Sequence, residues 1–266
     1  MKYSRGFTLV SLLVASAIGI FVAGAAGKVY VDSKVAFQMR SAVAATNENG
    51  RFAVEDLRRT LVMAGRGVKS GDDAPSVYAA SDNGLRTFPA VGSDGAIGSG
   101  VIVNRDSSDA DATVGSSVIA IRYAEGPSCG GTISTNTTVR FFVNTNSELV
   151  CEITDATGTT SQPIVGGIEQ MRALYGVDDD ADGLANRFLT ATAVQAGGNW
   201  PNVVAIRVGL IAGSAEFEIP SIYRSSSVSS FNLLGMTSAT PDASHFYKSV
   251  TTTVSLRNLN TVVERQ

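Results

Sequence analysis

Three aspartates alternate at Asp178, Asp180 and Asp182, and Gly183 follows them. This is the D-x-D-x-D-G spacing in which a calcium loop presents its oxygens. Carboxylates at alternate positions can converge on one hard cation, and the glycine supplies the sharp turn. Leu184 would offer its main-chain carbonyl, and Asn186 stands where a water-bridged ligand belongs. Leu189 occupies the place of the usual bidentate glutamate. The spacing therefore predicts a weak, structural Ca2+ site, unless another loop adds oxygen. The alternative is an acidic, solvated turn between strands. Carboxylates crowded without a cation repel one another, which tilts the reading toward calcium and away from any catalytic role.

The chain has 2 cysteines, Cys129 and Cys151, and one histidine, His245. In an oxidising compartment an even pair of cysteines most simply forms one disulfide. It would close a loop of about 20 residues, worth on the order of 3 kcal/mol. A metal-binding or catalytic pair is the alternative, but there is no C-x-x-C and only one histidine to assist. His245 follows Ser244 and lies near Asp242. Neighbours in sequence do not make a triad. A surface histidine is expected, no P-loop or dinucleotide fingerprint is present, and the chain reads as no enzyme.

These groups need elements to hold them, and the first element is the N-terminus. Lys2 and Arg5 precede Gly6, and a charge-free apolar run follows from Phe7 to Gly27. As a helix of about 21 residues it would be roughly 32 Å long, enough to cross a bilayer core. The basic residues lie on one side of it, so the positive-inside rule leaves the rest of the chain outside the cytoplasm. An ordinary secretory signal is the competing reading, with Ala23, Ala25 and Gly27 imitating a cleavage site. Within the run Ser11, Ala15, Gly19, Ala23 and Gly27 recur every four residues, a strip of small side chains along which helices can approach in lipid.

From Lys28 to about Ala64 the helix should continue into water. Val54, Leu57, Leu61 and Ala64 fall at helical spacing between Arg51, Glu55, Arg58 and Arg59. Glu55 and Arg59 form an i,i+4 pair in the favourable order. Gly65 and Gly67 mark the end. Residues 68 to about 115 read as loops with short strands and turns at Asp82-Asn83-Gly84 and Ser93-Asp94-Gly95. Strands are expected at Ser117–Tyr123, Thr138–Val143 and Glu148–Ile153, each rich in β-branched or aromatic residues. The chain of 266 residues carries a formal charge of −3, and only 17% of its residues are charged. Loss of a leader holding Lys2 and Arg5 would make it more acidic, which argues against a nucleic-acid partner.

The junction Arg5-Gly6-Phe7-Thr8-Leu9 resembles the signal of type IV prepilins and pseudopilins. That resemblance implies cleavage by a membrane-bound prepilin peptidase between Gly6 and Phe7 and N-methylation of Phe7. Asn47-Glu48-Asn49-Gly50-Arg51-Phe52-Ala53 resembles the QENGRFA stretch of PilW-type minor pilins, and Leu61-Val62-Met63-Ala64-Gly65 resembles their LRMAG. Gly167 to Asp178 is similar to GVENMQVLYGVD in that family. Trp200 to Val208 is similar to WNNVVAVRI and should be an alternating strand. Phe246 to Asn258 resembles the family's final strand. Ser11 departs from the pattern, because most pilin-like proteins carry glutamate there to neutralise the N-terminal ammonium of a neighbouring helix. Its absence is known in a pseudopilin placed at a filament tip.

The resemblance implies an α+β fold, with a long N-terminal helix packed on an antiparallel sheet. Residues 1–6 would be leader, 7–31 membrane and filament-core helix, 32–66 amphipathic helix, and 67–266 a β-rich globular domain. The implied function is that of a minor pilin that helps initiate a type IV pilus and sits at or near its tip. Partners would be other minor pilins, the major pilin, the prepilin peptidase, the inner membrane with its assembly platform, and a tip adhesin as a further candidate. The chain would be a single-pass inner-membrane protein with a periplasmic domain, then part of a filament. A type II secretion pseudopilin and a tip subunit for binding or adhesion stand as alternatives.

Overall fold

The computed structural model describes residues 8–64, 66, 113, 116–129, 133–155, 158–199, 202–214, 217–220, 224, 230–239 and 243–256, with two short strands at 90–91 and 97–98. The leader, the Gly6–Phe7 junction, the turns expected at 82–84 and 93–95, Trp200, Asp242 and residues 257–266 lie outside the described residues.

The first element is one helix, α1 (Leu9–Leu61), 53 residues long. Thr8 caps it in extended backbone and accepts from the Ser11 N–H, satisfying one of the donors that a helix start leaves over. Arg58 and Arg59 fall in its last turn, where positive charge suits the carbonyl end of the dipole. Past Leu61 the chain tightens through bonds from Met63 to Thr60 and from Ala64 to Leu61. The expected pair of Glu55 with Arg59 does not form. Arg59 instead meets Asp56, one turn position closer, at 2.7 Å.

Two antiparallel sheets follow. The first is a meander of β3 (Ile119–Pro127), β4 (Ile133–Val143), β5 (Glu148–Asp155) and β6 (Gly158–Gly166). The second has the order β12-β9-β7-β8, from β7 (Ile168–Val177), β8 (Arg187–Leu189), β9 (Val203–Gly213) and β12 (Tyr247–Ser255). Among the described residues the globular part thus has two four-stranded sheets where one was expected. A short helix α2 (Ala191–Ala196) links β8 to β9. The strands β1 (Ala90–Val91) and β2 (Ile97–Gly98) pair with each other, as do β10 (Ser230–Leu233) and β11 (Met236–Ala239). Leu234 and Gly235 join the latter pair with φ of 56° and 83°, the doubly left-handed turn that matches strand twist.

The sheets are tied by more than side chains. Ser117 donates its N–H to the Met171 carbonyl at 2.7 Å, and the Met171 N–H reaches Ser116 Oγ at 3.0 Å. Because β8 pairs only with Tyr175–Val177, the segment before β3 closes the rest of that side of β7. One core joins Ala53, Leu57, Leu61 and Ala64 of the helix end to Phe141 and Cys151 in the first sheet and Met171, Tyr175 and Ile206 in the second.

Strand β9 departs from the alternation read in the sequence. All but Arg207 of its residues are buried. It lies between β12 and β7, with α1 against it at Gly50 and Ala212 and the β10–β11 hairpin against it at Gly209 and Leu233. A strand covered on both faces needs apolar residues at every position.

Candidate functional site

Two lengths of α1 have opposite surroundings. From Leu9 to Val31 the large apolar side chains are exposed, Phe21 to 78%, and none of the described residues covers them. This is the one helix among the described residues long and apolar enough to cross a membrane. The small-residue strip is open too, since a Cβ built on Gly19 or Gly27 meets no atom within 4 Å. At the head of the strip, Ser11 Oγ donates to the Thr8 carbonyl at 2.7 Å. The hydroxyl is turned into the helix's own first turn and offers no countercharge to a neighbour.

From Ala42 onward the same helix has a covered face, built from Ala42, Thr46, Gly50, Ala53, Leu57, Thr60 and Leu61. The sequence pattern gave the far end, Leu57, Leu61 and Ala64. It missed the near end because the residues there are small or polar. Asn47 accepts a hydrogen bond from Lys248 Nζ in β12. Asn49 donates from Nδ2 to the Gly166 carbonyl at 3.2 Å, where β6 turns into β7. Between them Gly50 lets the helix backbone close on β12 and β9, where a Cβ would stand 2.9 Å from Val250 Cγ2 and 3.5 Å from Ala212 Cβ. Asn47, Asn49 and Gly50 are a clamp that fixes the stem to the globular part. Phe52, on the other side of the helix, is 61% exposed.

The acidic loop spans the turn between β7 and β8. Ligand atoms of Asp178, Asp180 and Asp182 lie within 4.8 Å of one another, so the three carboxylates could hold a metal ion. Asp178 is buried, while Asp180 and Asp182 are exposed. Asp178 Oδ1 accepts from the Ala181 N–H at 2.7 Å and Oδ2 from the Gly183 N–H at 2.8 Å. Burial pushes the Asp178 carboxyl up, but these N–H groups, with a side-chain hydrogen bond and the backbone N–H of Asp180, outweigh it and hold it below the ordinary value. Ala181 and Gly183 take φ of 61° and 85° to aim their N–H groups inward. Asn186 Oδ1 accepts the Asp179 N–H at 2.7 Å, which leaves it one lone pair. The Leu184 N–H donates to Asp182 Oδ1 at 2.7 Å. Leu189, at the twelfth position, is fixed in β8 opposite Tyr175, so the chain leaves the loop as a strand.

Cys129 and Cys151 form the expected disulfide, with Cα atoms 6.3 Å apart. Both cysteines are buried. The Cys129 carbonyl also accepts from Gln162 Nε2 at 2.9 Å, tying the loop after β3 to β6. His245 is half-buried rather than on the open surface, with Nδ1 3.3 Å from Ser244 Oγ and its ring edge-on to Tyr247. The letters G-x-S-x-G do occur, at Gly126-Pro127-Ser128-Cys129-Gly130. They close a strand into the disulfide loop, with Ser128 buried, and lack the strand–turn–helix setting of a nucleophile elbow.

A family model described as Type IV Pilus-assembly protein W matches residues 132–258, and one for the prokaryotic N-terminal methylation motif matches residues 1–27. These two matches support a PilW-type type IV minor pilin. No curated protein sequence matches it significantly. Among solved structures, a type IV-like pilin from Thermus thermophilus aligns with it at 14% identity and a TM-score of 0.42, over 84% of this chain and 98% of that one.

In this PilW-type pilin the motif blocks fall on the stem clamp and the second sheet. Asn47–Ala53 holds helix to domain, Gly167–Asp178 is β7 with the first aspartate of the acidic loop, and Phe246–Ser255 leads into and forms β12. Pilins are structural proteins. An apolar helix with 0% of its most hydrophobic stretch buried is what a membrane-anchored pilin needs.

Proposed function

We propose that this pilin helps initiate a type IV pilus together with other minor pilins and is incorporated at or near the tip. The observation that carries the reading is Ser11, the fifth residue after the Gly6–Phe7 junction. An ammonium carried into an apolar helix bundle without a partner costs several kcal/mol, about the desolvation penalty of a buried ion. Ser11 spends its hydroxyl on the Thr8 carbonyl, and so leaves that ammonium of a subunit above it unmatched. A subunit with nothing above it avoids the cost. Prepilin peptidase would cut after Gly6 and methylate Phe7. The domain beyond α1 would stand in the periplasm before assembly and at the cell surface after it. Gene deletion should abolish surface pili, the intact gene should restore them, and immunogold label should gather at filament ends. Normal piliation after deletion, or label along the whole filament, would overturn the proposal. Loss of a secreted enzyme with normal pili would point to a type II secretion pseudopilin, and normal pili with lost attachment to a binding subunit.

The acidic loop is proposed as a weak, structural calcium site. Asp178, Asp180 and Asp182 would supply the carboxylates, with the Leu184 carbonyl beside them. Support comes from the closeness of three carboxylates, two of them exposed with unused lone pairs. Isothermal titration of the chain in detergent with calcium tests it, with no heat of binding up to millimolar calcium as the contrary result.

A further inference from the structure

Among the described residues, the β12 strand is an outer edge of its sheet and pairs on one side only, with β9. The bonding phase of that pairing is set at its two ends. The Leu256 N–H donates to the Val204 carbonyl at 2.8 Å and the Ser214 N–H to the Phe246 carbonyl at 2.9 Å. In an antiparallel ladder the bonded positions alternate, so the even-numbered residues of β12 bond to β9. The main-chain N–H and C=O groups of Ser249, Thr251, Thr253 and Ser255 point out of the sheet.

Exposed edges usually carry a device that stops another strand from adding. Strand β6, an edge of the first sheet, has Pro163 and a register shift opposite Leu149 and Val150. Strand β8, the other edge of the second sheet, is 3 residues long. Strand β12 has 9 residues, pairs in unbroken register and holds no proline. Its one charge, Lys248, is drawn to Asn47 on the helix. Ser249, Thr251, Thr253 and Ser255 are exposed, uncharged side chains.

The edge also has a fixed place relative to the anchor. Lys248 meets Asn47, and Val250 meets Gly50. Strand and helix therefore run the same way, side by side. A subunit whose helix lies beside α1 would bring its globular part to this edge. Two copies pairing β12 with β12 antiparallel would be related by a twofold axis that reverses α1. Two helices anchored by their N-termini in one membrane cannot be so reversed.

We propose that β12 receives an extended strand from a neighbouring, different pilin subunit, which continues the β12-β9-β7-β8 sheet across the subunit boundary. This rests on the pilin reading above. Main-chain bonds would carry the pairing, and an uncharged, β-branched strand would suit the serine and threonine row.

The test uses full-length chain produced in its own cells from the native locus. Thr251→Pro removes an outward N–H without removing a bond to β9, and Thr251→Ala keeps that N–H. Thr253→Pro removes one as well, together with the hydroxyl that accepts from Arg207 Nε of β9 at 3.1 Å, so Thr253→Ala, which keeps the N–H and loses that hydroxyl, is its control. Thermal unfolding of each purified variant in detergent checks that the fold survives. We expect the proline variants to lower surface pili at least tenfold, with Thr251→Ala and Thr253→Ala at wild-type level. A photo-crosslinking residue in place of Ser249 should form adducts whose peptides come from another pilin. Should a proline variant unfold, the crosslink still decides. Adducts to a non-pilin protein, to a second copy of this chain, or none at all would overturn the proposal, as would folded proline variants with normal pili. If deletion of the gene itself leaves pili intact, the pilin-assembly reading fails first, and the crosslink still reports the edge separately.

Discussion

Gly50 on the helix and Val250 on β12 are so close that a Cβ on the glycine would lie 2.9 Å from Val250 Cγ2. Valine is stiff at χ1 and cannot easily swing aside. The helix reaches the sheet here because one residue on its covered face has no side chain. Asn47 and Asn49 then fix the approach by hydrogen bonds on either side.

Replacing Gly50 by alanine sets a helix-propensity gain of about 1 kcal/mol against an overpacking cost of about 1–3 kcal/mol. A net loss of about 1 kcal/mol is expected for Gly50→Ala, and a larger one for Gly50→Leu. Adding Val250→Ala should recover most of the Gly50→Ala loss, because it removes the atom that clashes. Denaturant unfolding of single and double variants measures this. A Gly50→Ala variant more stable than wild type would show that the approach is not tight.

The disulfide closes a loop between β3 and β5 with both sulfurs buried. Cys129→Ala with Cys151→Ala should cost about 3 kcal/mol and leave the anchored helix unaffected. Comparing unfolding midpoints of oxidised wild type, reduced wild type and the double variant checks this. The reduced protein should fall near the variant.

Asp178 is buried and its carboxyl is held below its ordinary value in the fold. A group with a depressed folded pKa stabilises the protein fully above its unfolded pKa, about 3.9. That contribution disappears as pH falls through the folded value. Acid should therefore loosen the β7–β8 turn, and Asp178→Asn should flatten the acid limb of the stability curve. Asp178→Ala should cost about 1–3 kcal/mol at neutral pH, since it leaves the Ala181 and Gly183 N–H groups without their acceptor. Unfolding free energies from pH 2 to 7 give both results; an unchanged acid limb in Asp178→Asn would place the sensitivity elsewhere.

Calcium, if bound by the acidic loop, stabilises the folded state in proportion to the logarithm of its concentration over Kd. Millimolar calcium should raise Tm in the wild type. Asp180→Asn with Asp182→Asn should abolish that rise and leave the calcium-free Tm little changed, because both side chains are exposed. Magnesium should do less, because it demands a stricter octahedral shell.

The sequence by itself determined the features that depend on near neighbours along the chain. An uninterrupted apolar run followed by a proline-free, amphipathic stretch makes one long helix, and α1 is that helix. The cysteine pair, the strands around it and the turn at Asp178–Gly183 were legible for the same reason, as composition and spacing act within a few residues. What the tertiary structure decided depends on partners far apart in sequence. Thr46 and Gly50 carry no apolar side chain to mark them, yet both are buried, Gly50 because Val250 and Ala212 lie across from it. Strand β9 reads as alternating until its second face is covered by a hairpin that begins 17 residues after it ends. Asn186 has the spacing of an outer ligand, and that its oxygen also accepts the Asp179 N–H is set by the folded loop. Arg59 chose Asp56 over Glu55 by rotamer and local geometry, which spacing leaves open. Burial is a property of what lies across from a residue, and only the folded chain sets that.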